Sequence, residues 1–142
     1  MLSSDASTAK TLTLVAIIFQ AVFFVIGIFE VIAVITLVSI EYGGRIPTGT
    51  QIAAGGGIAV LSLVFSVALL IGLLWIILDY FLIYRRLAME KVKEAETPSI
   101  VLGIIQLIFG GLIPGILLIV AWVKIKDSLK GSKDTATPVQ MS

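Results

Sequence analysis

Apolar residues run almost without interruption through three stretches of the chain, Thr11 to Ile40, Ile52 to Tyr84 and Ile100 to Val123, and polar residues gather between them and at the two ends. A helix crosses the roughly 30 Å hydrocarbon core of a bilayer in about 20 residues, so each stretch is long enough to span. Helices are also the structures that satisfy their own backbone hydrogen bonds in lipid. The pattern predicts an all-α integral membrane protein with three transmembrane helices, over about 11–40, 52–95 and 98–129. A polar tail is expected over residues 1–10 and another over 131–142, flanking one helical membrane domain at 11–130.

The first two helices form a long antiparallel hairpin in this reading, joined by a short turn, Glu41 to Gln51, that carries the single base Arg45. The second helix continues past Tyr84 through Arg85 to Glu96, a segment rich in helix formers, with Arg86 and Glu90 at i,i+4 spacing. Thr97 and Pro98 fit the cap and first position of the next helix.

The third stretch admits two readings. Basic residues favour the cytoplasmic side, and they cluster on both sides of this stretch: Arg85, Arg86, Lys91 and Lys93 before it, Lys124, Lys126, Lys130 and Lys133 after it. A complete crossing would separate these clusters. A re-entrant hairpin, turning at Gly110 to Gly115, would keep them together, but its arms are short and its turn would put backbone into lipid. A single span kinked at Pro114 loses one hydrogen bond and little else. Backbone satisfaction favours the kinked span; charge favours the hairpin. Either way, the Arg85–Lys93 connection is expected on the cytoplasmic side and the Arg45 connection on the other.

Length raises a further question. Thirty residues of helix measure about 45 Å, and only a tilt of about 48° would fit them into the core, beyond the usual range of about 0 to 40°. The surplus falls on the outer ends, Val31 to Ile40 and Ile52 to Val64, which are still apolar. A second copy or a partner subunit would cover them; the alternatives are a thickened bilayer or a first helix that unwinds near Ser39.

Polar residues inside the spans are costly and mark contacts with protein or water. Gln20, Glu30, Asp79 and Gln106 stand out. Gln20, Gly27 and Glu30 share one face of the first helix. Gly55, Ala59, Ser62 and Ser66 make a ridge of small residues on the second. With the hairpin turn centred near Ile46, Glu30 stands opposite residue 62, so Ser62 and Ser66 are the expected donors to its carboxylate. The same register sets Asp79 near Thr13, where it would reach interfacial water or pair with Lys10 or an arginine. Gly103, Gly111 and Gly115 fall on one stripe of the third segment and read, with Gly27, as helix-packing glycines. Tyr84 and Trp122, each close to basic residues, fit the aromatic belt of a membrane interface.

Composition agrees with the pattern: 58% of residues are apolar and 13% charged, against about 25% charged in ordinary soluble domains, and the mean hydropathy is +1.13. A net charge of +1 without a basic block gives no support to nucleic-acid binding. The chain has no cysteine and no histidine. No nucleophile–base pair, metal set or cofactor motif can be assembled from the residues that remain, and Gly55-Gly56-Gly57 lacks the Lys-Ser/Thr of a phosphate loop. The sequence therefore predicts no catalytic, metal or cofactor site. It predicts a non-enzymatic structural or accessory membrane protein, within a homo-oligomer, a larger complex or an envelope lattice. The alternative is a small oligomeric proton-coupled transporter or channel with Glu30 as its coupling residue.

Overall fold

The computed structural model describes residues 2–41, 50–109 and 111–134, and their side chains except at 38, 41, 50–59, 61 and 134. Among them there is no strand. The elements are α1 (Ser4–Glu41), α2 (Thr50–Asp79), a π-helical turn (Tyr80–Tyr84), α3 (Arg85–Ala88), α4 (Val92–Ile108) and α5 (Leu112–Asp134). Two helical stretches, Ser4–Leu37 and Ser62–Ala88, are long and apolar enough to cross a membrane. The Arg45 connection and the C-terminal tail from residue 135 lie outside the described residues.

Helix α1 begins earlier than the hydrophobic pattern suggests. Ser3 caps it, its Oγ accepting from the Ala6 N–H at 3.2 Å and its carbonyl from the Ser7 N–H at 2.9 Å. Residues 4–10, expected as tail, are thus the first turns of the helix. The polar side chains there conceal a buried stripe of small residues, Ala6, Ala9, Thr13 and Ala16, at helical spacing. At its other end α1 does not unwind near Ser39: the Thr36 and Ser39 hydroxyls donate to the Ile32 and Ile35 carbonyls, each at 2.8 Å, and the helix continues to Glu41.

The second helix stops at Ala88 instead of reaching residue 95. Glu90 takes a left-handed conformation (φ 61°), the Lys91 N–H bonds the Arg86 carbonyl at 2.9 Å, and the Glu90 N–H bonds the Leu87 carbonyl at 3.1 Å. This is the Schellman closure, with a glutamate in the position that glycine usually holds. Glu90 has left the helix, so Arg86 and Glu90 no longer stand one turn apart on a continuous α-helix. Helix α4 then starts at Val92, which places Pro98 inside it and not at its first position.

The third apolar stretch is two helices, not one kinked span. The Phe109 N–H bonds the Ile105 carbonyl at 3.0 Å and the Gly111 N–H bonds the Gln106 carbonyl at 2.8 Å, closing α4. Pro114 then falls in the first turn of α5, where a missing N–H costs no helical hydrogen bond. The two helices run antiparallel and nearly touch: a Cβ on Gly115 would lie 2.7 Å from the Leu107 nitrogen and 2.9 Å from the Gly103 carbonyl oxygen, and one on Gly103 would lie 3.0 Å from Ile119 Cγ1. Gly111, expected in the same packing stripe, belongs to the turn and faces the Gln106 backbone.

The chain forms two compact units, Met1–Gln20 with Ile76–Ser142, and Ala21–Trp75. In the first, the start of α1, the end of α2, the π turn, α3, α4 and α5 enclose Ala6, Ala9, Ala16, Ile83, Leu87, Ala95, Leu102, Leu118, Ala121 and Ile125. The second is a helical hairpin in which Gly27 faces Leu69 and Gly72 faces Phe24. These pairs set a register about one turn away from the one assumed from a turn at Ile46. Most large apolar side chains of the hairpin, among them Phe23, Phe29, Leu63 and Leu70, are exposed.

Candidate functional site

The small-residue stripe of α1 leads, one turn beyond Ala16, to Gln20. On α4 the buried positions Ser99, Leu102 and Gly103 lead in the same way to Gln106. The third contributor is Asp79, the last residue of α2. Successive i,i+4 positions on an α-helix drift by about 40°, which would carry Ile83 and Leu87 progressively off the face of Asp79. The wider π turn between them offsets that drift, and all three are fully buried. Single π turns of this kind recur at functional sites in helical proteins.

Gln20, Asp79 and Gln106 form a closed set of hydrogen bonds inside the first unit. Gln20 Nε2 donates to Asp79 Oδ2 at 2.5 Å and to Gln106 Oε1 at 2.9 Å, and Gln106 Nε2 donates to the same Asp79 Oδ2 at 2.8 Å. Asp79 is fully buried and Gln106 nearly so. Three buried polar atoms have no hydrogen-bond partner among the described residues: Asp79 Oδ1, Gln20 Oε1 and Ser99 Oγ. Thr13, also buried, is satisfied by its own helix, its hydroxyl donating to the Ala9 carbonyl at 2.9 Å. No group of three or more acidic, histidine or cysteine side chains suited to a metal ion occurs among the described residues. Chemically the trio offers acceptors and charge, without a nucleophile.

Asp79 therefore does not reach interfacial water or a base, as its sequence position suggested. The bases near its end of the unit are engaged elsewhere. Lys10 lies over the Tyr84 ring at 5.7 Å, Arg85 over Phe81 at 5.6 Å, and Arg86 Nη1 donates to the Glu94 carbonyl at 2.7 Å. The expected bonding of Glu30 to Ser62 and Ser66 is not formed either. Glu30 is exposed on the hairpin, and the Ser66 hydroxyl donates to the Ser62 carbonyl of its own helix at 2.8 Å. Gln20 and Glu30, which share a helix face, fall in different units. The side chains of Gly55 and Ala59 in the small-residue ridge lie outside the described residues.

The charged termini of the first unit meet at one end. Asp5 pairs with Lys124 at 3.1 Å, Ser3 and Ser128 share a hydrogen bond of 2.6 Å, and Lys126 lies over the Trp122 ring at 5.0 Å. An open cleft there is lined by side chains of both signs, including Asp5, Lys91, Glu94 and Asp127.

No protein-family model, curated protein or solved structure matches the chain. Its site is therefore defined by geometry alone. The joining of Gln20, Asp79 and Gln106 was not foreseen in the sequence, where the three appeared as separate polar interruptions. The signal that points to it is the stripe Ala6, Ala9, Thr13, Ala16, whose next helical position is Gln20.

Proposed function

We propose that this chain is a non-enzymatic integral membrane protein, a structural or accessory subunit that works in a larger membrane assembly of its own copies or of other membrane proteins. The observation that carries the reading is the unbroken, apolar outer end of α1. From Lys10 to Ile40 the helix measures about 45 Å against a core of roughly 30 Å, and Leu37 and Ile40 are 67% and 71% exposed. Apolar helix ends beyond the bilayer need cover, and a neighbouring subunit supplies it.

The distribution of polarity supports membrane insertion. In the first unit Thr13, Asp79, Ser99 and Gln106 are buried beside the apolar core, while Ile18, Phe81, Ile104, Ile108 and Val120 face outward. Many large apolar side chains exposed around buried polar ones suit a lipid surround better than water. The α4–α5 pair then reads as a re-entrant hairpin. The pairing of Asp5 with Lys124 and of Arg86 with the Glu94 carbonyl brings the basic flanks to one end, which satisfies the charge bias that a complete third span would break. That end is cytoplasmic in this account, and the Arg45 connection is on the other side. A carrier built on Glu30 has less support, because Glu30 stands apart from Gln20 and is exposed.

Charged substitution tests the reading. Leu37→Lys should dissolve the assembly on native gels while the chain remains inserted in the membrane. An assembly that survives Leu37→Lys unchanged would count against contact at this end.

A further inference from the structure

Three elements of the first unit each hold a cation over an aromatic ring: Lys10 of α1 over Tyr84 at 5.7 Å, Arg85 of α3 over Phe81 at 5.6 Å, and Lys126 of α5 over Trp122 at 5.0 Å. Aromatic rings paired with Lys or Arg suit the headgroup level of a bilayer, where one end of the pair is apolar and the other wet. On α5 the basic side of this arrangement continues. Lys130 and Lys133 follow Lys126 at steps of four and three, so with Trp122 the four residues lie within an arc of about 80°. The stripe is separate from the buried face of α5, formed by Leu118, Ala121 and Ile125. Asp127, the next residue round the helix, lines the open cleft instead. Lys126, Lys130 and Lys133 are exposed. None of them pairs with an acid among the described residues, whereas Lys124 is neutralised by Asp5 and Lys91 by Glu94.

We propose that the Trp122–Lys126–Lys130 face of α5 binds an anionic phospholipid of the surrounding bilayer, with the phosphate between the two ammonium groups and the acyl chains beside Trp122. The headgroup layer is about 5 to 7 Å deep on each side of the hydrocarbon core, and residues four apart on a helix rise by about 6 Å. With Trp122 at the hydrocarbon edge, Lys126 ends inside the headgroup layer and Lys130 at its rim. Lys133 lies farther out, where screening over about 8 Å weakens its pull. These four residues include no acid, so they offer nothing to the cationic group of a zwitterionic headgroup, while the net charge of an anionic one complements both lysines. The binding rests on the membrane insertion proposed above but not on the assembly, because all its residues belong to one helix.

Trp122 reports the lipid directly. The chain has two tryptophans, so Trp75→Phe leaves Trp122 alone, and bromine on an acyl chain quenches it by contact. The full-length chain is reconstituted in vesicles of fixed phosphatidylcholine and phosphatidylglycerol content, with an equal minor share of one lipid or the other brominated. Attraction of an anionic surface amounts to about a five-fold preference per lysine near the headgroups. The quenching constant for brominated phosphatidylglycerol should therefore exceed that for brominated phosphatidylcholine about five-fold or more. Lys126→Gln combined with Lys130→Gln should bring the two lipids to parity; both positions are exposed, and circular dichroism checks that the helices are kept. A Trp122→Phe chain, which leaves Trp75 in the apolar part of α2, should show no preference. Equal quenching by the two lipids in the Trp75→Phe chain, or a preference that the two lysine substitutions leave unchanged, overturns the proposal and leaves the membrane reading intact. Quenching by neither lipid overturns the membrane reading along with it.

Discussion

Arg86 Nη1 donates to the carbonyl of Glu94 at 2.7 Å, and this is the carbonyl that Pro98, four residues on and without an N–H, leaves open within α4. A proline in mid-helix is thus accommodated by a side chain from the preceding helix, and the contact ties α3 to α4 across the Glu90 turn.

The two residues should therefore be coupled. Arg86→Ala is expected to cost about 1 kcal/mol, the usual worth of such a hydrogen bond. In a Pro98→Ala background, where the backbone N–H takes over the Glu94 carbonyl, the same change should cost much less. A double-mutant cycle by denaturant unfolding in detergent measures the difference; equal costs in both backgrounds would separate the two residues.

Gly115 and Gly103 set the spacing of the α4–α5 hairpin, and no side chain fits between their backbones. Gly115→Ala should destabilise by about 2 kcal/mol, the range of overpacked cores. Gly131→Ala has open space at its Cβ and should be neutral or stabilising by up to about 1 kcal/mol, because alanine is the better helix former. Parallel thermal melts of the two variants check the contrast.

Helical class and the two long apolar helices were legible in the sequence because burial pattern and length alone specify them. What stayed hidden depended on backbone detail. The break at Glu90 gave no signal, since glutamate is a good helix former and is held left-handed here by the closure around it. The first turns of α1 read as a tail because Ser4, Asp5, Ser7 and Thr8 mask the alanines. The Gln20–Asp79 contact was not legible because a hairpin register counted from the middle of the connection is uncertain by about a helical turn. The third stretch left both a kink at Pro114 and a reversal at Gly110 to Gly115 open, because backbone satisfaction and charge pulled in opposite directions, and two helices are what the chain forms there.

Sidedness separates the re-entrant hairpin from a complete third span. The chain has no cysteine, so single substitutions can be labelled without background. Ser132→Cys should react from the same side as Arg86→Cys, and Arg45→Cys from the opposite side. Labelling of Ser132→Cys from the Arg45 side would restore the complete span.

Glu30 and Asp79 should respond differently to loss of charge. Glu30 is exposed and hydrogen-bonded to neither Ser62 nor Ser66, so Glu30→Gln is expected to leave the thermal midpoint within about 0.5 kcal/mol of the native chain. Asp79→Leu, which strips both amides of their shared acceptor in a buried setting, should cost about 2 to 3 kcal/mol. A larger loss from Glu30→Gln than from Asp79→Leu would move the functional site to the hairpin.

Photo-crosslinking from Leu37 in native membranes tests the central claim most directly. A photoreactive residue there should capture a neighbouring subunit, seen as a defined higher-mass species that Leu37→Lys cannot support, while the same probe at Ile104 on the outward face of α4 captures mainly lipid. Monomer alone at Leu37, with lipid as the sole adduct, would contradict the assembly and leave a locally thickened bilayer as the cover for the outer end of α1.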